Sequence, residues 1–151
     1  MPAPRDCDEL VIRHAAPADG PALERLIGQL GYEATAVDVA ARLAAMEAED
    51  RVVLAAELGG EVVGCVSTSV MRVLHRPAPV GRISMLVVDA ALRGRGIGAK
   101  LVHAAERALT ADGCQLVEVT SNLKRTEAHR FYERLGYERT SVRLAREPKG
   151  D

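Results

Sequence analysis

A single α/β domain with a mostly antiparallel sheet is what this sequence predicts, on three observations. Two β-rich runs meet at Gly59 and Gly60, a pairing that favours a hairpin. A further apolar run, "RISMLVV", leads through "RGRGIG" into a long amphipathic pattern, the signature of strand, turn and helix. The chain has 151 residues, 48% of them hydrophobic, with no repeat, low-complexity tract or linker, so one core spanning residues 1–151 is expected.

The elements follow in order. "LVIRHA", residues 10–15, reads as a first strand. In "PADGPALERLIGQL" Asp19 can cap a helix that carries Pro21 in its first turn. Val39, Leu43 and Met46 recur at helical spacing and predict a second helix over 35–49. The hairpin strands come next, then a breaker-rich connection, "LHRPAPVG", and a strand over 82–88, giving an antiparallel meander. From Gly96, the positions Ile97, Leu101, Ala104, Ala105, Ala108 and Leu109 predict a helix closed by Gly113. "QLVEVTS" is a strand, "TEAHRFYERLGY" a helix ended by Gly136, and "ERTSVRLA", residues 138–145, a last strand.

The net charge of -1 gives no electrostatic case for nucleic acid or a membrane surface. The N-terminal stretch lacks an apolar signal region, and no run is apolar enough to span a bilayer. Cys7, Cys65 and Cys114 are odd in number and show no ligand spacing, so reduced thiols in a cytoplasmic protein are expected, with no metal site.

The stretch at 93–98 carries the chemistry. A strand that runs through glycines into a helix points unpaired N–H groups, at the positive end of the helix dipole, toward a bound anion. Arg93 and Arg95 can add charge-assisted bonds. A nucleotide-hydrolysing loop would need Lys followed by Ser or Thr after its last glycine, and Gly98 is followed by Ala99, Lys100 and Leu101. A dinucleotide fingerprint fails as well, because Gly94, Gly96 and Gly98 are spaced two apart.

"LVVDAALRGRGIG" resembles the R-x-x-G-x-G motif of the GNAT superfamily of N-acetyltransferases, and "AHRFYERLGY" resembles that family's closing helix. The resemblance implies a sheet splayed between the strand before the turn and "LVEVTS", and acetyl-coenzyme A as cosubstrate. It implies that Arg93, Gly94, Arg95, Gly96, Ile97, Gly98 and Ala99 grip the pyrophosphate, and that Asn122 meets the pantetheine arm. It also implies a strand bulge at Leu86, Val87 and Val88 that aims an amide at the thioester carbonyl. A homodimer is common in the family, and "VSTSVMRV" is long enough for an interface strand.

Acetyl transfer to an amine needs a neutral acceptor, a stabilised oxyanion and a proton for the departing thiolate. Tyr132 matches the family's tyrosine that protonates the thiolate, although a Tyr beside Phe131 can equally be core. Many family members carry a glutamate on the strand before the turn, where this chain has Ser84 and Met85. Glu118 is the substitute candidate for the base, its alternative being a glutamate on an exposed strand face. Direct transfer needs no acyl-enzyme, so Cys65 and Cys114 read as core.

The segments that build acceptor pockets in the family bring Arg72, His75, Arg82 and Arg143 into play, a cluster that reads either as a solvated face or as the site of a small amine bearing an anion. "TSNLKRTEAHRFYERLGYERTSVRLAR" is similar to the C-terminal segment of the aminoalkylphosphonate N-acetyltransferase subfamily, which adds a phosphonate amine and a divalent metal aiding turnover as implications. Amino acids, polyamines, aminoglycosides and protein amines stand as alternative acceptors. An acyl-coenzyme A sensor with little turnover is the alternative to an enzyme.

Overall fold

The computed structural model describes residues 9–121 and 123–150. Contacts within the chain group it into two units, Met1–Val119 and Thr120–Asp151, which are described in turn.

The first unit opens with β1 (Leu10–His14), followed by α1 (Gly20–Gln29) and α2 (Ala36–Ala48). Thr35 caps α2 as its side chain accepts from Asp38 N at 3.1 Å. Asp19 does stand at the N-cap position of α1, but its carboxylate makes no cap bond there. It turns back instead to accept from Ala16 N at 2.7 Å and from both terminal nitrogens of Arg13 at 2.8 and 2.9 Å. A two-pronged guanidinium bond is stronger than a single neutral amide, so the ion pair wins the carboxylate from the helix.

The sheet is built from β1, β2 (Val53–Leu58), β3 (Glu61–Met71), β4 (Val80–Val88) and β5 (Leu116–Val119), in spatial order β1-β2-β3-β4-β5. The first four strands pair antiparallel and β5 joins β4 in parallel. Gly59 and Gly60 make the β2–β3 turn with φ of 56° and 84°, a left-handed pair that suits the twist of a two-residue hairpin. β5 pairs only with Val80, Gly81, Arg82 and Ile83, so residues 84–88 of β4 have no β5 partner. The sheet is therefore splayed where the resemblance placed the cofactor.

α3 (Ile97–Ala111) is the crossover that joins the parallel strands β4 and β5. One face of the sheet, through Val53, Ala55, Val62, Cys65 and Val87, packs on Leu23 and Leu26 of α1 and Val39 and Leu43 of α2. The other face receives α3, whose Leu101 and Leu109 lie against Gly64 and Gly81.

The second unit contains α4 (Thr126–Arg134), which ends in Leu135 and in Gly136 at φ 96°. The strand expected over 138–145 does not form: the segment has no regular structure, and Val142 and Leu144 are 82% and 90% exposed. Alternating apolar residues form a strand only where a neighbour supplies the ladder and a covered face, and neither is present here among the described residues.

Candidate active site

The turn between β4 and α3 has the geometry of an anion cradle. Gly94 and Gly96 both adopt φ of 81°, a conformation that side-chain-bearing residues rarely take, and a Cβ at either would meet nothing within 4 Å. The space above the turn is thus open to a ligand. No side chain caps α3, and its first intrahelical donor at this end is Lys100 N, bonded to Gly96 O at 3.1 Å. The amides of Ile97, Gly98 and Ala99 consequently face the turn at the positive end of a helix of 15 residues. Arg93 and Arg95 are exposed beside them, and Arg93 Nε donates to Val88 O at 3.4 Å. This donor set fits a pyrophosphate.

β4 leads into the turn with its outer half free of β5. Leu86, Val87 and Val88 pair in regular register with Val66, Cys65 and Gly64. The bulge expected among them lies earlier: the register shifts between Ser67 and Thr68, whose partners are Met85 and Ile83, so that Ser84 is the extra residue. The Ser84 hydroxyl bonds the Ser67 hydroxyl at 2.8 Å, giving the additional residue a cross-strand partner. The bulge also changes which face the odd positions serve. Gly81 faces Leu109 of α3, whereas Met85 and Val87 pack with the α1 and α2 core.

Arg82 and Glu118 stand opposite each other on β4 and β5. Nε and Nη2 of Arg82 both donate to Oε1 of Glu118, with Nε at 2.9 Å, and each side chain is about one-third exposed. Glu118 thereby has a partner within its own sheet, which is neither a free base nor the exposed strand-face glutamate of the alternative, and the charge of Arg82 is balanced. Arg72 and His75 are exposed in the β3–β4 connection, and Arg143 is exposed in the second unit. Asn122 lies outside the described residues.

Tyr132 is a buried residue of α4, in edge-to-face contact with Phe131 at 5.1 Å and Tyr137 at 5.8 Å between ring centroids. Burial pushes its phenol up to about 12. Cys65 is buried as expected, its thiol raised to about 12 chiefly by burial, and Cys114 is buried too, so neither is poised as a nucleophile.

Two features escaped the sequence reading. One is a cleft of about 490 Å³ between the end of α1 and the start of α2, where Glu24, Glu33, Asp38 and the 68% exposed Tyr32 meet. These acids were visible in the sequence, but only folding of the α1–α2 connection sets them around one space. The other is a bond network from Arg25 and Gln29 to Asp89, across 64 and 60 positions of chain, for which the sequence holds no signal. Among the described residues, no group of three or more His, Cys, Asp or Glu is placed to hold a metal ion.

Comparison with known proteins agrees with the geometry. The profile of the Acetyltransferase (GNAT) family matches residues 22–137. Aminoalkylphosphonate N-acetyltransferase of Salmonella typhimurium is 35% identical over 140 residues, covering 89% of this chain and 89% of that protein. Among solved structures, a putative acetyltransferase of Agrobacterium tumefaciens superposes with a TM-score of 0.82 at 26% identity, over 91% of this chain and 99% of the other. An aminoglycoside N-acetyltransferase in complex with coenzyme A does so at 0.83 and 19% identity, over 93% and 95%. With its glycine cradle, its splayed sheet and these likenesses, the chain belongs to the GNAT family, as an N-acetyltransferase that takes acetyl-coenzyme A as its cosubstrate.

Proposed function

We propose that the protein acetylates the primary amine of a small metabolite bearing an anionic group, of which an aminoalkylphosphonate is the type, by direct transfer in a ternary complex. The observation that carries the reading is the half of β4 left free by β5, residues 84–88, followed after one short turn by the glycine cradle, and direct transfer is favoured by the burial of Cys65 and Cys114. A pantetheine arm laid along that edge would bond the free backbone as a strand does, bringing the thioester to an amide of Leu86, Val87 or Val88. One such preorganised donor lowers the barrier by about 3 kcal/mol. Tyr132 is assigned to the departing thiolate.

No carboxylate occupies the place of the family's strand glutamate, where the Ser84–Ser67 hydroxyl pair stands. Glu118 has Oε1 engaged by Arg82, leaving Oε2 as its proton acceptor. In this reading the amine enters neutral or sheds its proton through water, with Glu118 as the carboxylate available to receive it. The anionic acceptor is favoured by the relative named for aminoalkylphosphonates, similar along 89% of both chains. Arg72 is the exposed cation that would meet the anion, with His75 exposed in the same connection as a hydrogen-bonding side chain, since Arg82 is balanced by Glu118.

A second reading is favoured by the cleft holding Glu24, Glu33 and Asp38, whose charge suits an acceptor with additional positive groups. Release of coenzyme A thiol, followed at about pH 8 with aminoalkylphosphonates, amino acids, polyamines and aminoglycosides, separates the two. Turnover selective for the phosphonates is the expected result. Selectivity for polyamines or aminoglycosides would move the assignment to the acidic cleft, and silence across the panel would overturn the small-amine reading.

A further inference from the structure

The coenzyme turn is fastened from outside its own strand and helix. Asp89, the residue after β4, has its carboxylate held by three donors: Arg25 Nη1 on Oδ2 at 2.8 Å, and Ala91 N and Gln29 Nε2 on Oδ1 at 3.1 and 3.4 Å. Gln29 also accepts from Ala90 N at 2.9 Å, so its amide grips the chain twice. Asp89 N donates to Val63 O at 2.8 Å, and Arg25 Nη2 reaches Val62 O at 3.2 Å. Val62 and Val63 lie at the register shift of β3, where Ala56 pairs with Gly64 and Glu57 with Val62, so that Val63 is the extra residue. Such a bulge frees backbone groups from the ladder, and here the two carbonyls go to the same network.

The span from Asp89 to the cradle is one short turn. Leu92 N bonds Asp89 O at 2.9 Å, closing a single 3-10 turn over Ala90–Leu92, and Arg93 follows at once in extended conformation. The glycines that come next are conformationally loose by nature, so the direction of the cradle depends on where this turn is anchored. α1 supplies the anchor at Asp89 and Ala90, while α3 fixes the far end.

We propose that Arg25 and Gln29 are positioning residues for coenzyme binding: by holding Asp89 and Ala90 from α1 they orient the cradle at 93–98 toward the pyrophosphate. The inference rests on the reading of that cradle as the pyrophosphate site. Neither residue needs to touch the coenzyme. The contribution to overall stability should be small, because Arg25 is about half exposed and such pairs stabilise the fold little.

The test is calorimetric titration of the full chain with coenzyme A, alongside steady-state kinetics with a turned-over amine, for wild type, Arg25→Ala, Arg25→Lys, Gln29→Ala, Gly96→Val and a surface control, Arg51→Ala. Arg25→Ala and Gln29→Ala should each raise Kd for coenzyme A, and KM for acetyl-coenzyme A, by about tenfold, with kcat within about twofold. Arg25→Lys should recover most of the affinity, and Arg51→Ala, whose arginine pairs with Glu49, should match wild type. If the Arg25 and Gln29 variants bind as wild type does while Gly96→Val does not, the positioning role falls and the cradle stands. If Gly96→Val also binds normally, the cradle reading fails and the inference with it. A parallel fall of kcat and melting temperature, unrescued by Lys, would reduce the network to a structural brace and overturn the proposal.

Discussion

Tyr132 shows how burial shapes a chemical role at the level of one residue. A phenol raised to about 12 stays protonated at any working pH, so it is always a donor. A thiol ionises near 8.5, so complete proton transfer from the resting phenol to a thiolate would run uphill by roughly 5 kcal/mol. Its proposed task is therefore a hydrogen bond that strengthens as charge develops on sulfur, the departed thiolate taking its proton from water while the phenol keeps its own. Tyr132→Phe preserves the ring contacts with Phe131 and Tyr137 and removes only the hydroxyl. Its kcat should fall by about ten- to a thousandfold with KM for acetyl-coenzyme A little changed, as initial-rate kinetics would show. A wild-type rate would return Tyr132 to packing. The sequence displayed the motif position of this residue but not its environment, because the contacts of a helix face depend on what the helix packs against.

At the scale of elements, the packing of α3 on the sheet is set by two glycines inside strands. A Cβ at Gly81 would lie 2.9 Å from both δ-carbons of Leu109 and 3.1 Å from its Cβ, and one at Gly64 would lie 3.0 Å from Leu101 Cδ1 and 3.2 Å from Val87 O. The missing side chains let α3 sit close to β3 and β4. Gly81→Val should cost about 2 kcal/mol, read as a lower urea midpoint, because Leu109 must move out and carry the helix with it. An unchanged midpoint would mean that α3 tolerates a wider separation. A glycine within a strand pattern is a legible sign of close backbone approach, although which helix approaches is not. The helices, the hairpin and the meander followed from periodicity and from Gly59 and Gly60, which act locally. The expected strand over 138–145 failed because a strand needs a neighbour, and no local pattern supplies one.

The first unit as a whole carries its ionisable groups in a way that fixes its pH range. The Cys65 thiol, moved from 9.0 to about 12, is neutral when folded, and the unfolded chain releases its proton first as pH rises. The stability it contributes is full below pH 9 and lost as pH climbs toward about 12. Asp19 and Asp89 are held below 3.8 by their bonds to Arg13 and Arg25, so their contribution is present above that value and lost as pH falls through the folded range. Urea midpoints should therefore form a plateau between about pH 5 and 9 and decline on both sides. A midpoint that kept rising through pH 10 would contradict the burial of Cys65.

What the sequence by itself determined is what is encoded in short stretches: the order of helices and strands up to α4, the hairpin, the glycine turn at 93–98 that opens α3, and the family. Backbone conformation at glycines and the periodicity of apolar residues depend on neighbours a few positions away, so they can be read in line. Only the tertiary structure decided the rest: the bulge at Ser84 instead of at Leu86, Val87 and Val88, the pairing of Glu118 with Arg82, the gathering of Glu24, Glu33 and Asp38, and the hold of Arg25 and Gln29 on Asp89. The bulge depends on strand register, the contacts of Arg82, Arg25 and Gln29 on side chains meeting across tens of residues, and the gathering of the acids on how the α1–α2 connection folds. A shift of one residue in register turns a side chain to the opposite face, and nothing local to the sequence fixes that choice.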